Sequence, residues 1–191
     1  MNLYPNKPNI TRMLCSPLQN IFLKFIISMI QPKMILELGT FTGYSTVSMI
    51  EALTLNHCEG KLITVDVDTH VNQEGISAGK IAQKYFKLCQ ERCPSFAIHP
   101  FIHDASYILG KLQDNSLFPN NQCDFVYIDA DKKNYLYYLL SLLGYSATNS
   151  TTTTSNNNKL DGSTIITQTG RSLLADNSYI CIDNTLWKGQ V

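Results

Sequence analysis

The sequence predicts an α/β protein with a mostly parallel central sheet and helices on both faces. Three observations predict it. Short, almost wholly apolar runs alternate with longer helical patterns along the chain, which is the pattern of strands joined by crossover helices. The runs are apolar at nearly every position, as strands covered on both faces are. The strand ends carry acids at or beside the tip, Glu37, Asp66, Asp104, Asp129 and Asp183 among them. In such sheets ligands bind beyond the carboxyl ends of the strands, at the point where the strand order reverses.

The elements follow in order. Pro17 suits the first turn of an amphipathic helix that runs to Ile30 and stops at Pro32. Its apolar stretch, Ile21 to Ile30, is too short to span a bilayer, Lys24 interrupts it, and no small-residue cleavage site follows. A cytoplasmic protein is expected. Met34-Ile-Leu-Glu-Leu38 reads as a buried strand, Tyr44 to Leu55 as a helix, and Lys61 to Asp66 as a second strand. Glu74 to Glu91 reads as a helix with Ile81, Tyr85 and Leu88 on its apolar stripe. Ser95 to Ile102 is a third strand, and Pro100 within it argues for a sheet edge or a bulge. Ser106 to Leu112 is a short helix, Cys123 to Asp129 a fourth strand, Lys133 to Leu143 a helix, and Ser178 to Ile182 a fifth strand. Residues 146–163 are rich in Ser, Thr and Asn and read as a flexible surface insertion between two helices. The second of those helices is predicted over Thr164 to Leu174.

Composition narrows the function classes. The 191 residues suit one domain, 1–191, and 44% hydrophobic with 16% charged residues suits a single soluble core. Fifteen basic residues balance fifteen acidic ones, which disfavours a nucleic-acid partner because the broad positive footprint is missing. Six cysteines include no Cys-x-x-Cys pair, so reduced thiols are expected.

The first chemical motif is Glu37-Leu-Gly-Thr-Phe-Thr-Gly-Tyr-Ser45. Gly39 and Gly43 are four apart, which is not the spacing of a dinucleotide loop. Both can take positive φ and let a ligand approach the backbone. The helix start beyond them suits a carboxylate, and Glu37 can accept from an ammonium group. A ligand with both is an amino acid, such as the methionine part of S-adenosylmethionine. The alternative is a strand-to-helix turn with glycines for geometry only. Asp66 ends the second strand at a distance suited to ribose hydroxyls.

The second motif joins two strand ends. Asp129 and Asp183 stand at neighbouring tips although 54 residues separate them, and Asn184 adds a neutral oxygen. Hard oxygen ligands suit magnesium, calcium or manganese. Three protein ligands leave positions open for water and substrate. The alternative is that both acids cap helices, with Lys132 as their counter-charge.

Taken together, Leu36 to Ser45, Phe125-Val-Tyr-Ile-Asp-Ala-Asp-Lys132 with Asn134-Tyr135, and Asp183-Asn-Thr-Leu-Trp187 resemble the cation-dependent O-methyltransferase family. The plant caffeoyl-CoA and animal catechol enzymes are members. The resemblance runs from about Met13 to the C-terminus, excluding the insertion. It implies a Rossmann-like methyltransferase fold and a S-adenosylmethionine site at Glu37, Gly39, Thr40, Ser45, Asp66, Ala105 and Asp131. Asp104 would lie near the adenine, and Met13 and Cys15 on the N-terminal side of the cofactor. Cys15 stands where the plant enzymes commonly have threonine. The resemblance implies a divalent cation, magnesium with calcium or manganese as alternatives, on Asp129, Asp183 and Asn184. Lys132 matches the lysine considered the general base. The acceptor would be a small phenol or catechol, and the assembly a homodimer.

Departures from the family set further expectations. The antiparallel strands that finish the family's sheet are missing after Val191, so the fifth-strand side is expected to be an exposed edge. Asn177-Ser178 replaces a Gly-Gly turn, and Asn can still adopt left-handed geometry. Rival readings are a noncatalytic cofactor-binding relative, a methyltransferase acting on a hydroxylated tRNA base, and a nicotinamide dehydrogenase. His99 and His103 share a strand face but have no third partner for zinc, and are expected to be ordinary histidines.

Overall fold

Ser16 and Pro17 start the first helix as the sequence suggests. In the computed structural model, which describes residues 14–56, 59–72, 74–119, 122–150 and 163–183 (side chains at 147–150 and 163–165 excepted), Ser16 and Gln19 form a reciprocal capping box. Helix α1 spans Pro17–Ile30 and ends on Gln31 in left-handed geometry. It buries Asn20, Leu23 and Ile27 on one stripe, the two aliphatic side chains contributing roughly 1.5–3 kcal/mol each. No helix among the described residues is long and apolar enough to cross a membrane.

The chain then alternates: β1 Met34–Leu38, α2 Tyr44–Leu55, β2 Gly60–Asp66, α3 Ala78–Arg92, β3 Phe96–Ile102, α4 Ala105–Gln113 and β4 Cys123–Ile128. A 3-10 turn at Lys132–Asn134 leads into α5 Tyr135–Leu143, and the rest is strand: β5 Tyr145–Ser150, β6 Ser163–Gln168 and β7 Leu174–Ile182. Five strands form one parallel sheet in the order β3-β2-β1-β4-β7. The order reverses between β1 and β4, which makes their carboxyl ends the ligand-bearing crevice of this topology.

Both faces of the sheet are covered, which is why its strands read as continuous apolar runs. On β1, Leu36 and Leu38 face Ile108, Leu109, Tyr138 and Leu142 from α4 and α5. Ile35 faces Leu23, Ile27, Met49 and Leu53 from α1 and α2. All five β1 residues are buried.

Several boundaries depart from the sequence prediction. Helix α3 starts at Ala78 rather than Glu74, because the Asn72 side chain accepts from the Glu74 and Ile76 amides and Ser77 caps the helix. Its buried stripe is Ala78, Ala82, Phe86 and Cys89; Tyr85 and Leu88, expected inside, are exposed. The largest correction is at 164–174, where no helix forms. Ser163–Gln168 is a strand paired antiparallel with Tyr145–Ser150, from Tyr145↔Gln168 to Ser150↔Ser163. The β-branched Thr164-Ile-Ile-Thr167 run suits an extended partner. The polar segment therefore sits between two strands rather than two helices, and its ends at 146–150 and 163 are themselves strand. The remainder, 151–162, lies outside the described residues.

Strand β7 begins at Leu174, four residues before the predicted start, through a bulge: Cys123 to Phe125 on β4 faces Leu174 to Tyr179 on β7. Asn177 takes the expected left-handed conformation there, with φ 62°. Pro100 lies in β3, at one edge of the sheet, and β7 is the other edge among the described residues.

Candidate functional site

A cleft of about 670 Å³ opens over the carboxyl ends of β1, β2 and β4. The glycine loop forms its floor, and the floor is built by close backbone approach. Gly39 has φ 100°, and a Cβ on it would lie 2.1 Å from the Asp129 carbonyl oxygen. Gly43 has φ 78°, and a Cβ there would lie 2.7 Å from the Phe86 ring. The two glycines thus let β1 approach the β4 tip and α2 approach α3. The direction that a side chain would take is filled by protein at both glycines, and Gly39 itself lines the cleft. Gly43 offers no side-chain cap to the first turn of α2, where Tyr44 and Ser45 line the cleft.

Beneath the floor, Glu37 is completely buried, and its carboxylate accepts from Ser45, Thr46 and Thr64. Since the single Thr64 proton goes to Glu37, Thr40 must donate to Thr64 in their mutual hydrogen bond. Burial raises the Glu37 pKa to about 7, against the lowering effect of the three hydroxyls. The expectation that Glu37 accepts an ammonium group is corrected: its carboxylate is satisfied inside the protein and pins the α2 start to β1 and β2.

Asp66 organises the loop from the next strand. Its Oδ2 accepts from the Thr40 and Phe41 amides at 2.9 and 2.7 Å, and its Oδ1 from the Asp68 amide at 3.0 Å. Of roughly four acceptor sites on a carboxylate, these use three, and the group lines the cleft. Asp68 itself accepts from the Gly79 amide in the first turn of α3, at 2.7 Å. At the β3 end, Asp104 caps α4 by accepting from Ser106 and Tyr107. It lines the cleft with the buried Ala105. His103 stacks on Tyr107 with ring centroids 3.9 Å apart. His99 packs instead against Phe118, so the two histidines serve different neighbours.

The β4 and β7 tips meet as the sequence requires. The Asp129 amide donates to Leu38 and the Asp183 amide to Ile128, so the parallel ladder runs on to both acids. Asp131 accepts from Asn134 at 2.6 Å and from the Tyr138 hydroxyl. Together with Lys132 and Asp129 it lines the cleft. Asn184 and Met13 lie outside the described residues.

Three further groups join the acids. Cys15 Sγ lies 3.8 Å from Asp129 Oδ2, 4.0 Å from Asp183 Oδ2 and 3.2 Å from the Tyr127 hydroxyl. Tyr127 donates to Asp183 Oδ2 at 3.2 Å, and Gln19 to Asp183 Oδ1 at 3.0 Å. The sequence reading missed Tyr127 and Gln19. Tyr127 was detectable, since alternation places it on the same strand face as Asp129. Gln19 was not, because it comes from α1 through tertiary packing.

These acids create a strongly negative corner. Burial first, then Asp129 and Asp183, pushes the Cys15 thiol up to about 12, with Tyr127 opposing by hydrogen bonding. Burial together with the same two carboxylates raises the phenols of Tyr127 and Tyr135. One oxygen from each acid and the Cys15 sulfur all lie within 4.8 Å of one another, a spacing that a cation can share.

Comparison with known proteins decides the family. The O-methyltransferase family model matches residues 4–150. The chain belongs to the O-methyltransferase family. It is 28% identical over 176 residues to a caffeoyl-CoA O-methyltransferase of Stellaria longipes, covering 92% of this chain and 56% of that protein. It is 34% identical over 139 residues to a probable caffeoyl-CoA O-methyltransferase of Dictyostelium discoideum, covering 71% and 54%. The chain thus spans about half the length of these relatives. Among solved structures, the Podospora anserina methyltransferase PaMTH1, bound to SAH, superposes with a TM-score of 0.60 at 19% identity, over 95% of this chain and 56% of that one. The Streptomyces achromogenes O-methyltransferase TomG, in complex with SAM, gives 0.52 at 22%, over 71% and 54%. At these identities the likeness is one of fold, and it agrees with the Rossmann-like methyltransferase fold that the motifs implied. The cleft of this family member lies where that topology puts ligands.

Proposed function

We propose that this chain carries the cofactor and metal sites of an S-adenosylmethionine-dependent, cation-assisted O-methyltransferase acting on a small phenol or vicinal aromatic diol. The observation that carries the reading is the convergence of Asp129 and Asp183 at the rim of the cleft that the glycine loop and Asp66 build. Family membership supports the methyl-transfer chemistry, and the names of the relatives support the phenolic acceptor.

The roles follow from position. The α2 start, with Ser45, presents N–H and O–H groups suited to the carboxylate of an amino-acid moiety. Asp66 keeps an acceptor site for a ribose hydroxyl. Ala105, small and buried beside the Asp104 cap, leaves room for a flat base. Asp131, held by Tyr138 and Asn134, is the acid in the cleft placed to meet an ammonium group. Asp129 and Asp183 hold the cation, with Asn184 as the third donor that the motif implies. A divalent cation there favours the oxyanion form of an acceptor hydroxyl and fixes its orientation. S-adenosylmethionine supplies the methyl group. Lys132, on the turn after Asp131, takes the hydroxyl proton. Most of the acceleration comes from positioning two bound reactants over one floor.

The test is methyl transfer from labelled S-adenosylmethionine over a set of catechols and acyl-CoA phenols, with magnesium and with excess chelator. Metal-dependent methylation of a diol is expected. Full activity in chelator removes the cation from the reading. Cofactor binding by calorimetry with no turnover on any acceptor identifies a noncatalytic relative instead.

A further inference from the structure

The family resemblance puts Cys15 beside the cofactor and not among the metal ligands, yet its sulfur lies at the acid pair. The Cys15 sulfur and one oxygen from each of Asp129 and Asp183 all lie within 4.8 Å of one another. A cation about 2.3 Å from sulfur and about 2.1 Å from oxygen, at a tetrahedral angle, separates the two donors by roughly 3.6 Å. The observed separations of 3.8 and 4.0 Å need only a small contraction. With the two oxygens also within 4.8 Å of each other, the three atoms can close on one ion.

The sulfur is also held in place from several sides. Cys15 immediately precedes the Ser16–Gln19 capping box that fixes the start of α1. Gln19, three residues past the cap, reaches across to Asp183 Oδ1, tying this helix start to the β7 tip. The Tyr127 hydroxyl touches both Cys15 Sγ and Asp183 Oδ2 at 3.2 Å, from the strand beneath. Such outer partners orient metal ligands and are commonly worth 10–100-fold in affinity. Cys15 packs against the apolar cluster below it, and its sulfur also reaches two carboxylates and a phenol.

The nature of the donor sets the choice of ion. Two carboxylates alone favour hard cations, whereas a thiolate selects softer ones. We propose that Cys15 Sγ is a protein ligand to the cation held by Asp129 and Asp183, so that this centre prefers thiophilic divalent ions such as zinc, cobalt or cadmium to magnesium. The proposal rests on the reading of the acid pair as a cation site. On ligation the S–H bond is replaced by a sulfur–metal bond, and the proton leaves to solvent.

Titration of the full chain with cobalt(II), followed by absorbance, tests it without reference to turnover. Bound cobalt gives visible ligand-field bands whatever its donors, and a near-ultraviolet charge-transfer band only when sulfur is bound. Wild-type protein is expected to show both, saturating together at one equivalent. Cys15→Ser and Cys15→Ala, checked for folding by circular dichroism, are expected to lose the charge-transfer band. Their preference for cadmium over magnesium should fall at least ~10-fold. Ligand-field bands without a charge-transfer band in wild type overturn the proposal and leave the cation site standing. A charge-transfer band that survives Cys15→Ser also overturns it, because the sulfur then comes from elsewhere. No cobalt binding of any kind in wild type sinks the acid-pair reading along with it.

Discussion

Replacing Gly39 by alanine tests the link between backbone packing and the site. The added Cβ would sit 2.1 Å from the Asp129 carbonyl oxygen and 3.0 Å from the Ala130 amide nitrogen, at a φ of 100°. Side-chain carbons do not approach backbone oxygen that closely, so β1 and the β4 tip must part by about 1 Å. A non-glycine residue in such a conformation costs about 1–3 kcal/mol, and overpacking a tight contact about 1–3 kcal/mol. The expected destabilisation is therefore about 2–6 kcal/mol, a large share of the 5–15 kcal/mol that holds a typical domain. The movement also shifts Asp129 and the loop held by Asp66, and a displacement of ~1 Å at a reacting site can cost ~100-fold. Urea unfolding by circular dichroism reads the stability, and calorimetry with S-adenosylmethionine reads the cleft. Gly110→Ala is the control. Gly110 lies in α4 with nothing within 4 Å of its Cβ position and no positive φ, so alanine there should stabilise by roughly 0.5–1 kcal/mol. If Gly39→Ala unfolds like wild type and binds cofactor equally well, the close-approach reasoning is refuted.

Three further predictions follow from named contacts. Glu37 has its folded pKa raised from 4.5 to about 7. The folded state therefore holds a proton that the unfolded chain loses, and this contribution to stability is complete below about pH 4.5 and gone above about pH 7, on the order of 3 kcal/mol in total; Glu37→Gln should flatten the fall in urea midpoint across that window, and an unchanged slope would show another group responsible. Lys132→Ala should leave S-adenosylmethionine binding intact in calorimetry and cut methyl transfer at least ~100-fold, whereas undiminished turnover removes it as the proton acceptor. Asp104→Ala strips the α4 cap and should cost about 0.5–2 kcal/mol in urea unfolding, with no loss at all arguing that water satisfies those amides equally well.

The parallel core was legible in the sequence because burial on both faces leaves continuous apolar runs, and β1, β2 and β4 carry them. The hairpin at 145–168 was not. Its strands are polar and β-branched, and pairing with each other, not burial in the main sheet, makes them extended. The apolar stripe of α3 was misread for a related reason. Tyr85 and Leu88 match Phe86 and Cys89 in apolar character, and only the position of β3 and the glycine loop chooses which pair turns inward.

The candidate site divides along the same line. Local sequence determined the strand-end acids, the glycine loop and the motif order that places this chain among O-methyltransferases, because each depends on neighbouring residues and on strand termination. Tertiary structure decided what the residues do there. It buried Glu37 under three hydroxyls, put β4 and α3 where side chains at Gly39 and Gly43 would go, and brought Cys15, Gln19 and Tyr127 to Asp183 across separations of 56 to 168 residues. The physical reason is that side-chain chemistry is a local property, whereas the field, burial and distance that give it a role are set by elements far apart in the chain.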